Sequence, residues 1–220
     1  MCSGRLANTM NNKIVRLAVV LLGITAVTGI ILGGIYTMTL KPIEAVQQQQ
    51  KMEALSATMP GAKEFKQVEV KNDKSGLVKE INEGSDGGNV IGYNFTVAPK
   101  GYGGIITLVV GIANDGAVKG IKILSLSETP GLGMKSTEPA FSDQFKDKKA
   151  DVLTVVKTTP AAAGDIQAIS GATITSRAVT LGVNTALDYW RTNISGKPAP
   201  AGAAAATDAT SGASEKKKKD

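Results

Sequence analysis

The chain has no histidine and a single cysteine, Cys2, among its 220 residues. A lone thiol cannot close an internal disulfide, and without a Cys/His cluster there is nothing to hold zinc, haem or an iron–sulfur cluster. Any redox role therefore needs an organic cofactor. The missing histidine also removes the usual base of a hydrolytic triad, and no Ser-Lys spacing replaces it. Aromatic residues make up only 4% of the chain, so a core must rest on Val, Ile and Leu, which is feasible in about 120 to 150 residues. Aromatics do not interleave with basic residues as a base-stacking surface requires. The formal charge of +6 is gathered towards the ends, with Arg5, Lys13 and Arg16 near the start and Lys216 to Lys219 in the tail. Nucleic acid is therefore not an expected partner. No strand-GxGxxG-helix unit is present, so direct NAD binding is not expected either.

What the chain does have is one long uncharged run, Leu17 to Leu40, "LAVVLLGITAVTGIILGGIYTMTL". At 1.5 Å per helical residue, about 24 residues span the ~30 Å hydrocarbon core of a bilayer. The run is longer than a signal-peptide core and lacks an immediate small-x-small cleavage site. The spacing predicts an uncleaved single-span anchor in the cell membrane. Basic residues precede it without acidic ones, so the positive-inside rule places residues 1–16 in the cytoplasm and the rest of the protein outside.

Beyond the anchor, Lys41 to Met59 reads as a helical stalk or first helix, ending at Pro60-Gly61. Short extended segments follow. Ile105 to Ile112 and Ala117 to Ser125 form a predicted hairpin through Asn114-Asp115-Gly116. A helical stretch is expected at Glu138 to Asp147, a strand at Val152 to Lys157 and a last helix at Thr175 to Thr192. Mixed strands with terminal helices predict an α+β domain over residues 41–194. Residues 195–220 form an Ala/Gly/Lys-rich tail with no apolar period, which predicts disorder.

The densest chemistry lies in "SGATITSRAV", where Ser170, Thr173, Thr175 and Ser176 surround Gly171 and Ala172. Ser170 or Thr173 can cap the following helix, Gly171 permits a sharp turn, and the helix end with Arg177 offers positive potential suited to a phosphate. An ordinary capped helix explains the same residues. A threonine modified here would be acted on by another enzyme, since no resident base activates it. A second segment, "SETPGLGMK", places Pro130 and Gly131 as a type II turn requires.

Together, SGATITS, ETPGLG and the GYGG of Gly101 to Gly104 resemble the membrane-anchored covalent FMN-binding domains. These include the G subunit of Rnf complexes and the C subunit of sodium-translocating NADH:quinone oxidoreductases. The resemblance spans residues 41–194, and "SGATITSRAV" looks closer to the Rnf subunits. It implies an antiparallel sheet with flanking helices, and FMN attached through its phosphate to Thr173 by a flavin transferase that consumes FAD. It implies cofactor contacts from Ser170, Gly171, Ala172, Thr175 and Ser176, and from Glu128, Thr129, Gly131 and Leu132. Lys157 falls where related proteins often carry a lysine near the cofactor, although a charged strand end accounts for it equally. The chain departs from the family at Gln167, where an acidic residue is common; Asp165 stands two residues earlier. The implied function is electron transfer within a complex that links ferredoxin oxidation to NAD reduction and moves Na⁺ or H⁺ across the membrane. The implied partners are other integral-membrane subunits, with no direct ferredoxin contact. A cofactor-free, membrane-tethered scaffold explains the anchor and the glycine-rich turns, but not the paired loops.

Overall fold

The computed structural model describes residues 3–196 apart from 72 and 74, so the expected tail from 197 onward lies outside the described residues. The chain divides into two units, residues 1–49 and 50–220. Helix α1 (Ser3–Thr58) carries, in its part within the first unit, a stretch, Val15–Tyr36, of 22 residues with mean hydropathy 2.4. It is long and apolar enough to cross a membrane. Its threonines do not leave hydroxyls unpaired: Thr25 and Thr28 donate to the carbonyls of Leu21 and Ile24 at 3.1 and 2.7 Å. The helical reading of Lys41 to Met59 matches the same helix.

In the second unit, five antiparallel strands lie side by side in chain order: β1 (Glu64–Val68), β2 (Val78–Asp86), β3 (Asn89–Val97), β4 (Thr107–Ala113) and β5 (Val118–Ser125). The hairpin expected from sequence is β4–β5, and Gly116 at φ 85° makes its turn possible. After β5 come a 3₁₀ turn (Gly133–Thr137), the one-turn helix α2 (Pro139–Ser142) and a second 3₁₀ turn (Asp143–Phe145). The expected single helix over Glu138 to Asp147 is thus broken. Pro139 opens α2 at its first position, and Asp147 at φ 52° ends helical geometry. Strands β6 (Thr154–Val156) and β7 (Asp165–Gln167) then pair in parallel, an arrangement the sequence pattern does not predict. The chain continues into α3 (Thr173–Tyr189) and a π-helical turn (Trp190–Ile194). The fold is α+β, as expected.

Strand alternation divides the core. Leu108, Val110 and Ile112 of β4 join Phe95 and Val97 against Val179, Val183 and Leu187 of α3, all buried. Val109 points to the other face, onto Ala54 and Leu55 near the end of α1. Gly182 lets α3 sit close to the sheet: a Cβ there would lie 3.1 Å from Val97 and 3.2 Å from Leu108. On the opposite face Gly111 does the same for α1, since a Cβ would lie 2.0 Å from the Thr58 carbonyl oxygen. Asn94 fixes that contact by donating to the Leu55 carbonyl at 3.1 Å and accepting from the Thr58 hydroxyl at 3.1 Å. The N-terminus of α3 is thereby held at one end of a rigid sheet, next to the loops before β4 and after β5.

Candidate functional site

A cleft of about 430 Å³ opens where those three segments meet. Tyr102, Glu128, Thr129, Leu132 and Gly133 line one side, and Gly171 to Thr175 the other. Its volume falls within the ~300 to 1,000 Å³ range of small-molecule sites. Thr129 to Leu132 form a tight turn, with the Leu132 N–H donating to the Thr129 carbonyl at 3.2 Å. Gly131 takes φ 75° at the third position, as a type II turn demands. Gly171, at φ 77°, reverses the chain into α3. Tyr102, Leu132 and Ile174 stay exposed around the cleft, giving it an apolar rim.

The structure sorts the hydroxyls of the motif. Thr175 is 1% exposed, and its hydroxyl donates to Glu128 Oε2 at 2.7 Å. Ser176 is fully buried; its Oγ donates to the Ala172 carbonyl and accepts from the Ile169 N–H, each at 3.0 Å. Both are structural. Ser170 is exposed and does not line the cleft. Thr173 is half-buried, lines the cleft, and has no hydroxyl hydrogen bond among the described residues. It is the one hydroxyl of the four that lines the cleft without a hydrogen bond among the described residues.

The expected side-chain cap is not formed. Ala172 occupies the N-cap position with φ −134° and ψ 43°, and neither Ser170 nor Thr173 bonds the first-turn N–H groups. The turn is held instead by the Ala172 N–H on the Ile169 carbonyl at 3.0 Å and by Ser176 reaching back. That leaves the first-turn donors and the helix dipole for an anion, with exposed Arg177 one turn along the same face as Thr173.

Besides Ser170, three expected contacts do not line the cleft. Lys157 is exposed just beyond β6 and is not among the residues lining the cleft. Gly131 shapes the turn without lining the cleft, and Ser176 is buried behind it. Tyr102, Gly133 and Ile174 line the cleft without being expected site residues, although each lies within or beside a motif that is. Asp165 does not substitute for an acid at Gln167. Its Oδ2 accepts from Ala162 and Ala161 N–H at 2.9 and 3.1 Å, and these bonds hold its carboxyl below the usual carboxylate range. Gln167 has an exposed side chain, while its backbone N–H donates to Gln144 Oε1 at 2.7 Å.

Residues 101–188, which carry every cleft residue, match the family model described as an FMN-binding domain. The chain is 40% identical over 172 residues to the G subunit of the proton-translocating ferredoxin:NAD(+) oxidoreductase complex of Clostridium ljungdahlii, covering 78% of this chain and 88% of that one. The chain belongs to this family of G subunits. It is 35% identical to the G subunit of the Na(+)-translocating ferredoxin:NAD(+) oxidoreductase complex of Acetobacterium woodii, over 80% of this chain and 91% of the relative. With the G subunit of the Methanosarcina acetivorans ion-translocating oxidoreductase complex it shares 34%, over 81% and 95%. Two solved structures also align with it. Shewanella oneidensis NqrC does so at TM-score 0.41 and 22% identity, over 62% and 66% of the two chains. The C subunit of the Na(+)-translocating NADH-quinone reductase of Parabacteroides distasonis does so at TM-score 0.44 and 20% identity, over 69% and 94%.

Proposed function

We infer that this protein is a flavin-carrying electron-transfer subunit of a membrane-bound, ion-translocating ferredoxin:NAD oxidoreductase complex, with FMN joined through its phosphate to Thr173. The observation that carries the site is the freedom of the Thr173 hydroxyl in a cleft whose other motif hydroxyls are engaged or turned away. The residues suit the group. Leu132, Ile174 and Tyr102 offer apolar surface for a planar ring, and the start of α3, with exposed Arg177 nearby, suits a phosphate. FMN supplies the capacity to take up and release one or two electrons; the protein supplies attachment, orientation and field.

Among the described residues no base is hydrogen-bonded to Thr173, and Glu128 accepts from Thr175 instead. Attachment is therefore the work of a flavin transferase. Thr173 Oγ forms a bond to the flavin-side phosphorus of FAD, AMP leaves, and the hydroxyl proton is taken up by the transferase or solvent. The apolar stretch of α1 anchors the protein as a single span, with residues 1–16 cytoplasmic and the FMN-binding domain outside the cell, among the integral-membrane subunits of the complex. A covalent link there keeps the flavin from being lost. Co-expression with and without a flavin transferase tests this reading. A band fluorescent after denaturing electrophoresis should appear only with the transferase and vanish in Thr173→Ala. A dark band beside a loaded control protein would overturn it.

A further inference from the structure

Among the described residues, Glu128 is the only charged one lining the cleft, and it is 7% exposed. Both of its carboxylate oxygens accept hydrogen bonds. Oε1 accepts from the backbone N–H groups of Tyr102 and Gly103 at 2.9 and 3.1 Å, and Oε2 accepts from the Thr175 hydroxyl at 2.7 Å. None of these donors is charged. All three hydrogen bonds are donated to the carboxylate, an arrangement that suits its ionised form, and none of them brings a compensating positive charge. The surrounding backbone is shaped to fit it: a Cβ on Gly101 would lie 2.2 Å from Oε1, and one on Gly133 would lie 2.6 Å from Oε2. One side chain thus joins three segments distant in sequence, namely the 101–104 loop, the 127–133 loop and the first turn of α3.

We propose that Glu128 is a positioning residue with a second, electrostatic role: it clamps the two loops to the helix bearing Thr173, and its fixed negative charge lowers the reduction potential of the group bound in the cleft. The first role follows from the three hydrogen bonds. The second rests on the FMN reading above. Adding an electron beside a fixed negative charge is disfavoured, so the cleft favours the oxidised carrier and makes the reduced one a stronger donor. With both oxygens engaged, Glu128 acts on the cofactor through the field and through Thr175, and not by a bond of its own.

Glutamine separates the two roles. Its amide oxygen can accept from Tyr102 and Gly103, and its amide nitrogen can donate to the Thr175 oxygen, so Glu128→Gln keeps the clamp and removes the charge. The full chain, co-expressed with a transferase and purified in detergent, is compared as wild type, Glu128→Gln and Glu128→Ala. Flavin fluorescence in a denaturing gel, urea unfolding and spectroelectrochemical midpoint potential are measured for each. Glu128→Gln should load and unfold like wild type, with its midpoint shifted to more positive potential. Glu128→Ala should load poorly and lose roughly tenfold or more of its folded-to-unfolded ratio, because the buried Thr175 hydroxyl and the part-buried N–H groups of Tyr102 and Gly103 lose their acceptor. A Glu128→Gln midpoint equal to wild type overturns the electrostatic role. Unchanged loading and unfolding in Glu128→Ala overturn the clamp. A wild-type chain that stays unloaded beside a loaded control overturns the flavin reading and the potential claim with it; unfolding of Glu128→Ala still decides the clamp.

Discussion

Gly133→Ala should damage the site by sterics alone. Gly133 does not have positive φ, so alanine carries no backbone penalty there, unlike at Gly131 with φ 75°. Its new Cβ, however, would lie 2.6 Å from Glu128 Oε2, 2.7 Å from Glu128 Cβ and 2.8 Å from Thr175 Oγ1. Ordinary contact begins near 3.4 Å, so each neighbour must withdraw by about 0.6 to 0.8 Å. Withdrawal is resisted because the Glu128 carboxylate is held at both oxygens and its Cβ is fixed to the backbone. Overpacking of this kind costs about 1 to 3 kcal/mol, and at about 2 kcal/mol the folded-to-unfolded ratio falls about 30-fold. Urea unfolding of the full chain in detergent reads this through Trp190, the only tryptophan, which is 6% exposed. Gly131→Ala meets nothing within 4 Å and should cost about 1 kcal/mol through its left-handed backbone. Gly131→Asn should recover most of that loss, because asparagine tolerates this region. A Gly133→Ala protein that unfolds within about 0.5 kcal/mol of wild type would refute the steric reasoning.

Asn184 is buried and brackets Leu153, accepting from its N–H and donating to its carbonyl, both at 2.9 Å. Asn184→Leu orphans both groups and should cost about 2 to 4 kcal/mol in urea unfolding, with faster hydrogen exchange at the Leu153 amide. The backbone N–H of Ala162 and then Ala161 hold Asp165 below the usual carboxylate range, and the N–H of Ala117 and then Lys149 hold Asp115 there. Each has a lower pKa folded than unfolded, so each contributes stability above the usual carboxylate range that is lost as pH falls through and below it. Thermal unfolding of Asp165→Asn and Asp115→Asn should therefore converge with wild type at the acid end and diverge towards neutral pH. Orientation is testable with the chain's own thiol: in intact cells a membrane-impermeant maleimide should spare Cys2 and label a Lys66→Cys variant on exposed β1.

Much of the fold is legible in the sequence, for reasons that are local. The long apolar stretch of α1 follows from an uncharged run, the β4–β5 hairpin from two apolar runs joined by Asn-Asp-Gly, and the 129–132 turn from Pro-Gly. Pairing is hidden where strands are only three residues long: "TVV" and "DIQ" of β6 and β7 carry no period, and their register depends on contacts across a loop. The broken segment near Pro139 looks like one helix because apolar Phe141 and Phe145 sit at helical spacing, although they are buried from separate short turns. The hydroxyl motif is visible, but which hydroxyl is free is not. That depends on Glu128, distant in sequence, capturing Thr175, and on Ser176 folding back to Ile169. Capping propensity points to Ser170 or Thr173, and the tight turn at Gly171 leaves both unused.

The most direct test is to locate the flavin by mass. Trypsin cuts after Lys157 and Arg177, releasing one peptide that holds Ser170, Thr173, Thr175 and Ser176. From protein co-expressed with a flavin transferase, tandem mass spectrometry should find this peptide heavier by FMN less one water, with the added mass on Thr173. The same mass on Thr175, whose hydroxyl is buried against Glu128, or an unmodified peptide beside a flavinylated control, would contradict the account.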